Sequence, residues 1–217
     1  MNYTLKPFLY SSHSKIIDLV KPNTKVLDIA CASGYLASFL QEKGCTIDGV
    51  DFDDAYIEEA KKYCNAYVLD ITKEDVVGMY DVIILGDILE HTVDPEGILR
   101  KIQKNLTKDG YIIISTPNIV NIYARIKILF GNFDYAEKGI FDKTHVHFFT
   151  RKTLRQTVDS AGYDIEKMEY TIIPVQLVFK KLPKSIINSV AHILYGITTI
   201  WPTLFAYQFV VKISCKK

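Results

Sequence analysis

Two acidic residues carry most of the chemistry that can be read from this sequence. Asp28 lies near the end of the apolar run Lys25–Ala30 (KVLDIA), just before a turn of small residues, A-C-A-S-G, from Ala30 to Gly34. Asp51 closes a second run, Thr46–Val50, a little over twenty residues later. A short apolar run that ends in small residues reads as a buried strand. The turn lets a ligand approach the backbone closely, and the helix expected beyond it offers free N–H groups. A carboxylate beside such a turn repels a pyrophosphate and attracts a ligand carrying ammonium and sulfonium charges. An acid at the end of the second strand can accept hydrogen bonds from both hydroxyls of a ribose. Phe52 is then placed to lie against the base of the same nucleoside, while Asp53 and Asp54 read as caps of the next helix.

Three further groups follow along the chain. Asp70 and Ile71 end a third short run, Ala66–Leu69, where an acid can serve either a turn or a ligand. Gly86 ends the apolar run YDVIIL, where it can bring backbone carbonyls against a ligand, and is followed by D-x-x-E-H, Asp87 to His91. His91 is expected to tie this loop to its own helix or to meet substrate. His145 and His147 stand two apart, so in an extended segment they share a face. They read as a satisfied structural pair, or His145 serves as a general base. With Asp142 they would form only a thin metal set, and no metal is expected.

The elements that must position these groups alternate. Strands are predicted over 25–30, 46–50, 66–69, 80–85, 111–115, 163–173 and 206–213. Helices are predicted over 14–20, 35–43, 54–63, 94–106 and 151–161, the last capped by Thr150. Such alternation implies an α/β fold, a parallel sheet with helices on both faces. The 217 residues suit one domain. Its cofactor-binding core is placed at 24–116, an irregular, aromatic-rich substrate-cap insertion at 117–150, and an apolar insertion before the last strand at 174–205. Tyr123, in the cap, is assigned to the substrate side together with His91 and His147. A net charge of +1 without a basic block argues against a nucleic-acid partner. Four cysteines without a C-x-x-C pair, and an N-terminus without a leader pattern, favour reduced thiols and a cytoplasmic protein.

Ser185 to Val211 carries no Asp, Glu, Lys or Arg. Asn188, Ser189, His192, Gly196 and Pro202 interrupt it and argue against a membrane span. It is expected either as a lid or homodimer surface, or lying on the inner face of a membrane through 185–205. Lys180, Lys181 and Lys184 precede it, Lys212, Lys216 and Lys217 follow, and Trp201 with Tyr195 suits an interface.

The run VLDIACASG resembles the first motif of class I, S-adenosylmethionine-dependent methyltransferases, V-L-D-x-G-x-G-x-G, with Ala30 and Ala32 in place of the first two glycines and Gly34 as the third. Ile88-Leu89-Glu90-His91 followed by Asp94-Pro95 is similar to the family's V-L-E-H exit loop. The segment D-K-T-H-V-H-F-F-T resembles a stretch in methyltransferases of polysaccharide and natural-product pathways. The resemblance implies a Rossmann-like, doubly wound sheet of seven mostly parallel strands, the last antiparallel. It implies S-adenosyl-L-methionine as cofactor, with Asp28, Ala30, Gly34, Asp51, Phe52, Asp70, Ile71 and Gly86 lining its site. In the family the acid at Asp70 holds the adenine amino group and the next backbone N–H, at Ile71, meets the ring. The acceptor is then a small molecule, a glycan or a lipid-linked compound, methylated at oxygen. A nicotinamide-dependent oxidoreductase would need G-x-G-x-x-G, which is missing here. A non-catalytic nucleoside-binding module of the same fold is the other alternative.

Overall fold

The computed structural model describes residues 8–179 and 182–216. Residues 1–7, and Lys180, Lys181 and Lys217 of the expected basic flanks, lie outside the described residues. In chain order the elements are α1 (Ser12–Leu19), β1 (Lys25–Ile29), α2 (Tyr35–Glu42), β2 (Thr46–Asp51), α3 (Asp54–Ala60), β3 (Asn65–Val68), β4 (Tyr80–Gly86), α4 (Pro95–Ile102), β5 (Leu106–Pro117), α5 (Ile122–Leu129), α6 (Arg151–Ser160), β6 (Tyr163–Tyr170), α7 (Val175–Val178), α8 (Lys184–Ile200), α9 (Pro202–Phe205) and β7 (Gln208–Cys215).

The strands form one seven-stranded sheet in the order β3-β2-β1-β4-β5-β7-β6. The pairs from β3 to β5 are parallel, and β7 runs antiparallel to both of its neighbours. The central strands are apolar at consecutive positions because both of their faces are covered. Leu27, Ile83, Leu85 and Ile112 point into one core, while Val26, Val82, Ile84 and Ile113 point into the other. After β1 the chain builds outward through β2 and β3; from β4 it builds in the opposite direction. The crevice between the carboxyl ends of β1 and β4 is therefore a topological switch point, the usual ligand position in such sheets.

The local signals act as expected at several helix starts. Asp53 caps α3 by accepting from Ala55 N–H, Asp94 caps α4 with Pro95 in its first turn, and Thr150 forms a capping box with Thr153. Elsewhere the structure departs from the expectation. The fourth helix ends at Ile102, a 3₁₀ turn spans Gln103–Asn105, and β5 begins at Leu106. The Asn105 amide donates to the carbonyls of Val76 and Gly78 at 2.9 and 2.8 Å, which draws the chain into the sheet early. The sixth strand ends at Tyr170 rather than Ile173. The cap insertion contains α5, capped by Asn121.

Most of 174–205 is helical. In α8, Ile187, Ala191, Leu194 and Thr198 face inward, and Ile186, Ile193, Ile197 and Ile200 form an exposed stripe one position away. Among the described residues, no helix is long and apolar enough to cross a membrane. Two members of the expected basic flank are engaged elsewhere: Lys212 pairs with Glu166 at 2.7 Å and Lys216 with Asp159 at 2.7 Å. Lys212 lies on β7, between β5 and β6, and Lys216 follows its last residue.

Candidate functional site

The turn after β1 is built from residues in left-handed backbone conformation. Ala30, Ala32 and Gly34 have φ of 55°, 47° and 72°. For an L-residue this costs about 1–2 kcal/mol each, so two alanines here store strain that the surroundings must hold. Three contacts do so. Cys31 N–H donates to Val50 O at 3.0 Å, Gly34 N–H to Cys31 O at 3.0 Å, and Ala32 N–H to Asp51 Oδ2 at 3.0 Å. A Cβ on Gly34 would sit 2.9 Å from Ala60 Cα, so the absence of a side chain there lets α3 approach the turn. Asp51 also accepts from Asp53 N–H at 3.0 Å. Its carboxylate thus fastens the turn to β2, and each oxygen keeps a second lone pair.

Asp28 lies beneath this turn at 2% exposure, and its Oδ2 has no hydrogen-bond partner. Burial, and then the charge of Asp51, push its carboxyl up to about 7. Phe52, beside Asp51, is 75% exposed. At Gly86 an added Cβ would meet nothing closer than Ile16 Cδ1 at 3.8 Å, so the backbone there is open to a neighbour. Asp70 is occupied locally. It pairs with Lys73 at 2.8 Å and accepts from Thr72 N–H and O–H, and the Lys73 contact followed by that of Thr72 holds its carboxyl down to about 2. Ile71 is buried, and its carbonyl accepts from the Lys101 ammonium at 2.9 Å.

A second cluster stands beyond β4, among residues the sequence reading kept in separate motifs. Asp87 has a φ of 55°. Its carboxylate accepts from Ser115 O–H at 2.6 Å and from Gln208 Nε2 at 2.9 Å. Its position in D-x-x-E-H was the available signal, but Gln208 lies 121 residues away and nothing local announces it. His13 on α1, also unexpected as a site residue, meets the Tyr35 hydroxyl at 2.8 Å. Burial lowers its pKa, against the pull of Asp87.

The loops 87–93 and 142–147 are laced together. The Glu90 carbonyl accepts from Val146 N–H and His147 N–H at 2.8 and 3.0 Å. His91 Nδ1 meets Thr144 Oγ1 at 3.0 Å and Thr144 O at 3.2 Å, and His147 Nε2 meets Val93 O at 3.1 Å. His145 and His147 therefore have different partners, since the His145 ring lies 4.7 Å from the His91 ring in an edge-to-face arrangement. Burial, then the proximity of His91, lower the pKa of His145 and favour a neutral imidazole. Tyr123 is half exposed on α5, with its ring 6.2 Å from Phe141.

The comparisons with known proteins agree with this geometry. A family model described as "Methyltransferase domain" matches residues 5–168. A ubiquinone biosynthesis O-methyltransferase of Actinobacillus pleuropneumoniae is 33% identical over 134 residues, a match covering 56% of this chain and 56% of that relative. The protein of the same description from Saccharophagus degradans is 27% identical over 181 residues, covering 77% of this chain and 76% of that one. The solved structure of a magnesium protoporphyrin IX methyltransferase from Synechocystis, with bound SAH, superposes with a TM-score of 0.63 at 16% identity, covering 94% of this chain and 82% of that one. The cradle suits the family's cofactor. Small residues line the turn, and an orphaned carboxylate oxygen lies beneath it. This chain belongs to the methyltransferase-domain family, and it is a class I methyltransferase that uses S-adenosyl-L-methionine.

Proposed function

We propose that the chain methylates a hydroxyl oxygen of a small-molecule, glycan or lipid-linked acceptor. The observation that carries this is the pairing of two unlike clusters across the switch point. One is the strained small-residue turn over Asp28; the other is the half-buried imidazole of His145 beyond β4. The cofactor supplies an electrophilic methyl group on a sulfonium. Asp28 faces the cationic tail, Asp51 the ribose hydroxyls, Phe52 the base, and Gly86 with Ala30 and Gly34 leaves room for the backbone to come close. With its own carboxylate turned to Lys73 and Thr72, Asp70 serves the adenine through the shape of its turn, next to the backbone at Ile71. Orienting the reactants can supply roughly 7–11 kcal/mol of a barrier.

A hydroxyl nucleophile must lose a proton as it is methylated. A neutral imidazole accepts one near neutral pH, and His145 is the base in the ion-free chain. His91 and Tyr123 complete the acceptor side, and His147 acts from behind by fixing the loop to Val93. The names of the relatives, both O-methyltransferases, support oxygen as the methylated atom. Isothermal titration with S-adenosylmethionine and with NAD tests the cofactor half: the first is expected to bind and the second not. Mass spectrometry of reactions with sugar, phenol and polyprenyl-phenol acceptors tests the other half. A 14 Da gain on none of them, from a chain that binds the cofactor, would favour a non-catalytic module.

A membrane-surface site for the enzyme rests on the exposed stripe Ile186, Ile193, Ile197 and Ile200, next to exposed Trp201. With Lys212 and Lys216 already paired, those two lysines add little attraction to anionic lipid, and the apolar stripe is the part expected to insert. Flotation with neutral phosphatidylcholine vesicles is expected to carry the protein along. A protein that stays at the bottom of the gradient as a stable dimer would assign the stripe to a homodimer surface instead.

A further inference from the structure

We infer that Glu90, His91 and His145 form a binding site for one divalent transition-metal ion. This rests on the reading of the β4 exit as the acceptor side of the enzyme, but the juxtaposition itself is independent of it. One carboxylate oxygen of Glu90 and one ring nitrogen from each histidine all lie within 4.8 Å of one another. Ligands of a tetrahedral ion with bonds of about 2.0–2.1 Å stand about 3.4 Å apart, so modest side-chain rotation closes the set. His91 is exposed and can make that adjustment.

Three observations point to a cation rather than to a chance cluster. First, Glu90 is 1% exposed and neither of its carboxylate oxygens has a hydrogen-bond partner. As a carboxylate, a group buried in that way needs a cation beside it; without one it takes up a proton instead. Second, the surroundings are acidic. Asp87 and Asp142 both act on the charge of Glu90, and among the described residues no Lys or Arg forms an ion pair with any of these three acids.

Third, the ring of His91 is oriented for ligation. Thr144 Oγ1 donates to Asp142 Oδ1 at 2.6 Å, so it accepts from His91 Nδ1–H, as does the Thr144 carbonyl. The proton therefore sits on Nδ1, and Nε2 keeps its lone pair. A ligating histidine typically has this arrangement, with its other nitrogen donating to a carbonyl or hydroxyl. The groups facing the cluster are Asp87 from the β4 exit, Asp142 and Thr144 from the cap, and Thr116 from β5, whose hydroxyl acts on the Glu90 carboxyl.

One carboxylate and two imidazoles suit Zn²⁺, Fe²⁺, Co²⁺ or Mn²⁺ and leave positions open for water or for oxygens of an acceptor. The sequence hides this set. Glu90 and His91 lie in one motif and His145 in another, and the trio of His145, His147 and Asp142 read from local spacing differs from the one the fold assembles.

The test is a Co²⁺ titration of the chelator-treated full chain, followed by visible absorption, with no S-adenosylmethionine present. The expected result is saturation at one ion per chain with ligand-field bands and no thiolate-to-cobalt band, since no cysteine belongs to the set. Zn²⁺ added afterwards is expected to abolish the bands. Glu90→Gln and His91→Ala should each weaken uptake by at least about tenfold, while His192→Ala, on α8, should bind as wild type. Glu90→Gln keeps the size and shape of the side chain, so it should fold. A melting curve in ion-free buffer checks this, and His91→Ala, at an exposed position, provides the second variant. A wild-type chain that takes up no Co²⁺, or variants that bind it as well as wild type, would overturn the inference. A chain that binds S-adenosylmethionine but no Co²⁺ refutes only the metal site; one that binds Co²⁺ but not S-adenosylmethionine refutes the proposed function instead.

Discussion

The two sides of the switch point are made by different means. On the cofactor side, the turn over Asp28 is held by a backbone hydrogen bond to β2, one within the turn and one to the Asp51 carboxylate, all within Asp28–Asp51. On the acceptor side, Glu90, His91, His145, Asp87 and Gln208 come from widely separated segments, joined by side chains and loop carbonyls. The first arrangement is rigid and short-ranged, suited to a constant ligand. The second can change through its loops without disturbing the sheet, which suits an acceptor that differs from one relative to another.

Substitutions sharpen this contrast. Gly34→Val should have the largest effect, because it places a branched side chain at positive φ and 2.9 Å from the Ala60 backbone. A loss of roughly 2–5 kcal/mol is expected from strain and overpacking together, read by urea unfolding. If the loss is below 1 kcal/mol, roughly the scale of an ordinary surface change, the cofactor side is softer than described. Asp28→Asn comes next. The fold already tolerates a neutral side chain there, so folding should survive, while the affinity for S-adenosylmethionine falls by about 10–100-fold, the scale of one charged hydrogen bond. Calorimetry reads it, and unchanged affinity would move the cationic tail elsewhere.

The pH dependence is smaller and follows from the same group. In the ligand-free chain Asp28 titrates near 7, above its ordinary 3.8. Its raised value favours the folded chain at low pH, and that contribution is lost as pH rises toward 7. Cofactor affinity runs the other way, since only the carboxylate attracts a cation. It should rise by up to about tenfold per pH unit between 5 and 6.5 and level off above 7. Ala30→Gly relieves a left-handed alanine and should stabilise the fold by about 0.5–1 kcal/mol, net of the greater freedom of the unfolded chain. On the exposed stripe of α8, Ile193→Ser and Ile200→Ser should change stability by no more than about 0.5 kcal/mol each. They should still reduce vesicle flotation if the stripe meets lipid.

The same contrast explains what the sequence discloses. Runs such as VLDIA and YDVIIL, the D-P helix start and the small-residue turn are local signals, and the sheet and cofactor turn follow from them. The double role of Asp51 is less visible, because a carboxylate that fastens Ala32 N–H resembles one that waits for a ribose. α5 was concealed because its apolar residues do not keep to one face: Ala124 is buried, while Tyr123, Ile126, Ile128 and Leu129 are exposed. The trio Glu90–His91–His145 depends on a loop closing across more than fifty residues, and no spacing rule reaches that far. Lys212 and Lys216 looked like a basic flank until β7 placed them beside Glu166 and Asp159.

The position of β7 also bears on how the protein is made. This last strand inserts between β5 and β6, and β6 has no other partner in the sheet. While the chain is still being synthesised, everything up to β6 can emerge with the edge of β5 bare and β6 unpaired. Gln208, which donates to Asp87, arrives only with β7. Closure of the sheet and the Gln208–Asp87 contact thus wait for the same strand, and a ribosome stalled before β7 would display a long apolar edge open to other chains.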